Sequence, residues 1–206
     1  MDAENPDEKE IQEAALLIRQ GGVVAYPTES FYGLGVDPGR EKAVDRLFRV
    51  KGRQKERAIL LLITSSGALD HLVRDVPPAA RDLMDAFWPG GLTLVFKASD
   101  EIPPAITAGT GKIGLRISSH PVAASLVRAV GGVLTGTSAN LSGKPPCRSA
   151  QEVFRQLGDQ VDMILDGGIT GGKRASTVLD VSREPLRILR EGMVSREDLR
   201  HCIDLP

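Results

Sequence analysis

The side chains best suited to chemistry in this chain are cations, hydroxyls and amides, not nucleophiles or metal ligands. Residues 46–57 read RLFRVKGRQKER, with six basic side chains and one acidic. Arg46, Arg49 and Lys51 have an ordinary role at the end of a helix. Cations there meet the negative end of the dipole, and Gly52 closes the last turn. That role stops at Gly52. Arg53, Lys55 and Arg57 carry the charge onward, and such a cluster repels itself unless solvent screens it or an anion binds. A polyphosphate suits it, since Lys offers a point charge and Arg a planar fork. On composition alone both readings stand.

Three further stretches carry polar groups where strands should end. Residues 133–140 read VLTGTSAN and run on into LSGKPP. Ser138 and Asn140 at the carboxyl end of a strand are placed for a ligand, or they bond their own backbone in a turn. Residues 26–35 read YPTESFYGLG. Here Pro27 sets a rigid exit, Thr28 and Ser30 supply hydroxyls, and Gly33 and Gly35 allow close approach. The plainer alternative is a crossover loop whose Phe31 and Tyr32 plug the core. Arg116 lies within IGLRIS, where a charge between apolar neighbours must face a cleft or a buried partner. Ser176 precedes one late strand and Arg190 follows another.

Two familiar phosphate motifs are spelled but fail on context. Gly109–Gly114 reads GTGKIG, yet a proline-rich loop precedes it and a strand follows, where a dinucleotide fingerprint needs strand then helix. Residues 167–173 read GGITGGK, but Arg174 stands where a P-loop needs Ser or Thr, and no helix follows. A glycine-rich hairpin connection accounts for that stretch. Cys147 and Cys202 lie far apart and only three histidines occur, so neither a zinc site nor a disulfide framework is expected.

The elements that must position these groups alternate along the chain. Helical spacing runs over Asp7–Gln20, Glu41–Val50, Pro78–Phe87 and Pro121–Ala129. Ser149 and Glu152 form a capping box opening a helix to about Leu157, and Ser195 opens a last one. Strands are expected at Val23–Tyr26, Ala58–Ile63, Leu92–Lys97, Ile113–Ser118, Val133–Thr137, Val161–Leu165, Thr177–Val181 and Leu186–Leu189. This is α/β: one twisted mixed sheet with flanking helices, partly antiparallel because the late strands are closely spaced. The 206 residues suit one domain, and 41 % hydrophobic with 26 % charged excludes global disorder. Lys and Arg total 26 against 27 Asp and Glu, so the surface as a whole is not that of a nucleic-acid binder. The N-terminus is acidic and polar, unlike a signal peptide, and no apolar run reaches the roughly 18 residues of a membrane span. A cytoplasmic location is expected.

Taken in order, YPTESFYGLG, KGR, WPGGLTLVF, IGLRISSHP, TSANLSGKPP, ILDGG, STVLDV and ILREG resemble the YrdC/Sua5 family of threonylcarbamoyl-AMP synthases. The resemblance covers about residues 10–192 and implies a single YrdC-like domain over 1–206, without the extra C-terminal domain of longer members. It implies a central basic cavity and an ATP-dependent nucleotidyltransferase. L-threonine, bicarbonate or CO2 and ATP (with Mg2+) would give threonylcarbamoyl-AMP and pyrophosphate. Partner proteins would then carry the threonylcarbamoyl group to adenosine 37 of tRNA. By matching position, Lys51 and Arg53 become the catalytic, phosphate-holding pair. Arg57, Ser138, Asn140 and Arg190 join them at ATP. Thr28, Ser30, Arg116 and Ser176 fall to L-threonine, with Arg116 on its carboxylate. No protein metal ligand is implied. The chain departs from many members at Ser30 (Thr), at Arg57-Ala58 (Asn-Pro) and at Leu62 (His). Two alternatives remain: a related enzyme adenylating another carbamoyl donor, and a non-catalytic RNA-binding or ribosome-assembly factor with weak RNA affinity.

Overall fold

The computed structural model describes residues 6–52 and 58–204. Arg53 and Arg57 therefore lie outside the described residues. The helices are α1 (Glu8–Arg19), α2 (Glu41–Lys51), α3 (Leu69–Leu72), α4 (Pro78–Phe87), α5 (Pro104–Thr107), α6 (Pro121–Ala129), α7 (Ala150–Leu157) and α8 (Arg196–Arg200). The strands are β1 (Val24–Tyr26), β2 (Gly33–Gly35), β3 (Leu61–Ile63), β4 (Leu92–Lys97), β5 (Lys112–Arg116), β6 (Val133–Thr135), β7 (Thr137–Ser138), β8 (Met163–Ile164), β9 (Thr177–Asp180) and β10 (Arg187–Arg190).

Local chemistry starts and stops these elements. Asp7 accepts from Glu10 N while Glu10 returns a bond to Asp7 N, a reciprocal cap for α1. Gly52 ends α2 in the left-handed region at φ 55°, where a glycine has no steric cost. Ser149 caps α7 through Glu152 N, but the Glu152 carboxylate takes Arg148 N instead of closing the expected box. Ser195 and Asp198 form a complete box at α8.

The expected single sheet is two. One has four strands in the order β7-β2-β1-β8, the other six in the order β10-β9-β4-β5-β3-β6. Both are mixed. In the larger, β9–β4 and β5–β3 run parallel, while β10–β9, β4–β5 and β3–β6 run antiparallel. The reason lies at residues 133–138, where the strand expected over Val133–Thr137 is split. β6 edges the larger sheet on β3, then Gly136 leaves the pattern, donating its N–H to Leu60 O, and β7 edges the smaller sheet on β2. Thr135 stitches the crossing, since its Oγ1 accepts Val36 N at 2.9 Å. The 26–35 stretch is a hairpin, not a crossover, because β2 folds back antiparallel on β1. The glycine-rich stretch at 167–173 is no hairpin either, for it links β8 of one sheet to β9 of the other.

Alternation decides where the core sits. Val23 and Ala25 face a main apolar cluster with Leu47, Phe48 and Leu61, whereas Val24 and Tyr26 face a second one with Ile11, Ile18 and Leu126. Leu61 and Ile63 likewise belong to the main cluster and Leu62 to the second. These strands are buried on both faces, which accounts for their unbroken apolar runs. Each buried Leu, Ile or Val contributes roughly 1.5–3 kcal/mol.

One polar clamp ties α2 to both β1 and β8. Asp162 accepts Arg46 Nη1 at 2.6 Å and Nη2 at 2.9 Å, and also Val23 N at 2.7 Å. Arg46 thus serves an ion pair, not the helix dipole. Burial opposes ionisation of Asp162, but the Arg46 bonds and the Val23 N–H outweigh it and hold the carboxyl below its usual range. Asp162→Ala should cost about 1–3 kcal/mol at pH 7. A folded-state pKa below the unfolded one means stability gained above the unfolded value and lost as pH falls through the folded value. The gap between parent and variant in urea titrations should therefore be full at neutral pH and shrink below about pH 4.

Candidate functional site

Between the two sheets lies a cavity of about 1220 Å3. Tyr26 and Gly33 line it from the smaller sheet; Thr93, Val95, Gly114, Arg116, Val178 and Arg190 line it from the larger. Residues of the loops after β1 and β7 line it too, as do Gly52 and residues 58–60. Of the eight expected site residues among those described, all eight line this one space: Thr28, Ser30, Lys51, Arg116, Ser138, Asn140, Ser176 and Arg190. Leu62, one of the positions at which the chain departs from many members of the family it resembles, is fully buried in the second apolar cluster.

Lys51, the last residue of α2, is only 4 % exposed. Its Nζ donates to Ser138 O and to Asn140 O, the latter at 3.0 Å, and its own carbonyl accepts Ser142 N at 2.8 Å. The helix end and the loop after β7 are thereby fastened together. Ser138 Oγ donates to Asn140 Oδ1, and Asn140 Nδ2 donates to Leu141 O and Lys144 O at 2.8 Å each. The turn reading of these side chains describes their hydrogen bonds here, and they face the cavity all the same.

A second group gathers around two arginines. Arg116, at the end of β5 and 4 % exposed, donates through Nη1 to Glu29 Oε1. Ser118 Oγ donates to the other Glu29 oxygen. Arg190 donates through Nε and Nη2 to Ser176 O at 3.1 and 2.9 Å, and through Nη2 to Ser176 Oγ at 3.1 Å. Ser176 Oγ also meets Thr93 Oγ1 at 3.0 Å. A register shift between Ile188 and Arg190 in the β9–β10 ladder turns both Leu189 and Arg190 to the cavity. Burial, and then the like charge of Arg116, pull the Arg190 pKa down from its ordinary value. Lys112 lines the same space and pairs with Asp180 at 2.8 Å.

Thr28 and Ser30 cap the hairpin exit. Thr28 Oγ1 donates to Phe31 O at 2.7 Å and lies 3.0 Å from Ser30 Oγ. Phe31 and Tyr32 both line the cavity, and Tyr32, almost wholly shielded from solvent, donates to Gly168 O at 2.8 Å. The lining carries several cations and hydroxyls and, among the described residues, no Asp or Glu. No group of three or more His, Cys, Asp or Glu suited to a metal occurs among the described residues. A lining of cations and hydroxyls suits an anionic ligand. Cys147 is fully buried and is not among the lining residues, and burial pushes its thiol up to about 11.

Sequence reasoning passed over Glu29, Thr93, Lys112 and Ser118. Glu29 was legible as the one carboxylate among the hydroxyls of PTESF, a charge just beyond a buried strand. Thr93 and Lys112 carried no local signal, because their role comes from strand pairing far apart in the chain.

The glycine-rich loop is bound to this wall. A Cβ on Gly172 would lie 2.1 Å from Ser30 O, whereas one on Gly171 would meet nothing within 4 Å. Gly172→Ala should force loop and hairpin apart and cost about 1–3 kcal/mol, a melting point lower by roughly 2–4 °C per kcal/mol. Gly171→Ala, in calorimetry under the same conditions, should melt with the parent.

Comparison with known proteins gives this geometry relatives. Residues 16–192 match the family model for Sua5, YciO and YrdC, described as "Telomere recombination". The chain is 36 % identical over 198 residues to a Bacillus subtilis protein named threonylcarbamoyl-AMP synthase, covering 96 % of this chain and 57 % of that protein. It is 39 % identical over 170 residues to the synthase of Halorhodospira halophila, covering 82 % of this chain and 89 % of that protein. The crystal structure of Pyrococcus abyssi Sua5 complexed with L-threonine superposes with a TM-score of 0.94 at 37 % identity, over 97 % of this chain and 59 % of that one. The chain thus spans under three fifths of the Bacillus and Pyrococcus proteins and most of the Halorhodospira one.

Proposed function

The chain belongs to the Sua5/YciO/YrdC family, and on that premise we propose that it makes L-threonylcarbamoyl-AMP and pyrophosphate from L-threonine, bicarbonate or CO2, and ATP. The observation that carries this reading is the convergence of Arg116, Ser176 and Arg190 with Lys51, Ser138 and Asn140 on one cavity. Two anions must meet in this reaction, an amino-acid carboxylate and a triphosphate. The cavity supplies a cationic group for each.

In this reading the carboxylate of L-threonine lies on Arg116, and the hydroxyls of Thr28, Ser30 and Ser176 address its polar groups. The amine and CO2 form a carbamate, losing a proton to solvent. A carbamate oxygen then attacks the α-phosphorus, a P–O bond forms there, and the bond to the β-phosphate breaks to release pyrophosphate. No protein nucleophile is required. The protein's contribution is to hold two reactants in line and to stabilise charge on the leaving group. Lys51 and Arg53 face the phosphates, with Arg57, Ser138, Asn140 and Arg190 as further nucleotide contacts. Mg2+ enters with ATP, held by phosphate oxygens, which fits a lining built of cations and hydroxyls. The adenylate then passes to proteins that transfer the threonylcarbamoyl group to tRNA in the cytoplasm.

Purified protein given ATP, Mg2+, bicarbonate and L-threonine should yield threonylcarbamoyl-AMP by mass spectrometry, and pyrophosphate only when L-threonine is present. Folded protein that releases pyrophosphate without an amino acid would point to a different carbamoyl donor. Folded protein that releases none would end the enzymatic reading.

Lys51→Ala and Arg53→Ala should each weaken ATP binding or turnover roughly 10- to 150-fold, the worth of a charge-assisted bond. Arg49→Ala is the control, on an exposed face of the same helical turn. If calorimetry with ATP finds all three equal to the parent, the phosphate assignment fails.

A further inference from the structure

We propose that Glu29 is a positioning residue that fixes the guanidinium of Arg116 for recognition of the substrate carboxylate, an inference that rests on the role given to Arg116 above. Glu29 sits in the loop after β1, and its carboxylate lies behind Arg116 instead of among the residues lining the cavity. It does not touch reacting atoms. Both of its oxygens are engaged, one by Arg116 Nη1 and the other by Ser118 Oγ. A base for the amine would need a free lone pair at the cavity, whereas Glu29 is not among the lining residues and both its oxygens accept hydrogen bonds.

Three observations favour positioning over a purely structural ion pair. First, Glu29 is the one hydrogen-bonding partner of the Arg116 guanidinium among the described residues, and Arg116 Nε is buried without an acceptor. One carboxylate therefore sets the plane of the guanidinium. Second, Arg190 shares the cavity and feels the charge of Arg116. Two guanidiniums facing one space separate unless an anion compensates one of them, and Glu29 does so from the side away from the cavity. Third, Glu29 is itself held. Ser118 Oγ, which accepts His120 N at 3.2 Å, donates to the second Glu29 oxygen, so Arg116 and Ser118 hold the two carboxylate oxygens and His120 N holds Ser118. The chain from the N-cap of α6 through Ser118 to Glu29 orients Arg116 as the partner of a catalytic histidine orients its ring. With Nη1 committed to Glu29, the donors left over define where a second carboxylate sits.

The test is steady-state kinetics of Glu29→Gln and Ser118→Ala with L-threonine and ATP varied separately. Glu29→Gln keeps the side-chain length and removes the charge. Its KM for L-threonine should rise roughly 10- to 100-fold, the loss of one charge-assisted bond at the recognition site, with the KM for ATP within about twofold of the parent. Ser118→Ala should shift the L-threonine KM the same way by roughly three- to tenfold and decides the matter if Glu29→Gln does not fold. An unchanged L-threonine KM, or a loss shared equally by both substrates, overturns the inference. Should the parent itself make no adenylate, the proposed function fails separately. Exchange of the Arg116 Nε proton with water, followed by NMR, then decides for Glu29. At least tenfold faster exchange in either variant supports positioning, and no change overturns it.

Discussion

Five cations among the described residues line one cavity, and much of the site's arrangement can be read as the way the mutual repulsion of Lys51, Lys112, Arg116 and Arg190, beside Lys144, is contained. Those four are each restrained differently. Lys51 spends its ammonium on the carbonyls of Ser138 and Asn140, Lys112 on the carboxylate of Asp180, and Arg116 on Glu29. Arg190 has only the neutral oxygens of Ser176 among the described residues, and its pKa is pulled down by burial and by Arg116. Asp180 shows the balance from the acid's side. Burial works against its charge, and the bonds from Lys112 and Ser182 more than offset that, so its pKa is lowered. The cations are thus held in place before any ligand arrives. An anion entering the cavity gains their attraction without having to organise them, in a setting less screened than bulk water.

The backbone arranges this by passing between sheets. Residues 135–139 leave the edge of the six-stranded sheet and join the edge of the four-stranded one, bonded on the way to Val36, Leu60 and Tyr32. The cavity lies at that crossing. Its polar wall is the loop that follows the crossing, fastened by Lys51 to the end of α2. Its other wall is the end of β5 and the bulge of β10, brought together by the parallel pairing of β9 with β4. The Gly172 loop seals the margin by lying directly on the Ser30 backbone.

Much of this was legible in the chain, and the exceptions have physical causes. Helix limits at Pro78–Phe87, Pro121–Ala129 and Ala150–Leu157 follow from proline at the first turn or a serine cap, which are local signals. Strand β4 was readable because its alternation and length are ordinary. The second sheet was not, because Gly136 interrupts the ladder while leaving the period-two spelling of VLTGTS intact. Strand β2 was hidden by its composition, since Gly-Leu-Gly has little strand propensity and is held by pairing to β1 and β7. At the site, Arg116 announced itself as a charge inside an apolar strand, and the expectation of a cleft or a buried partner was met by both at once. What spelling could not supply was which carboxylate would answer it, because Glu29 is 87 positions away.

In the function proposed above, one cavity receives a carboxylate at Arg116 and phosphates beside Lys51. The most direct measurement is a crystal structure of this chain with L-threonine and a non-hydrolysable ATP analogue bound together. The predicted result is the amino-acid carboxylate on the Arg116 guanidinium, with Glu29 still behind it, and the triphosphate against Lys51, Ser138 and Asn140 with its α-phosphorus toward the amine. Ligands bound outside the space between the two sheets, or an amino acid whose carboxylate makes no contact with Arg116, would contradict it.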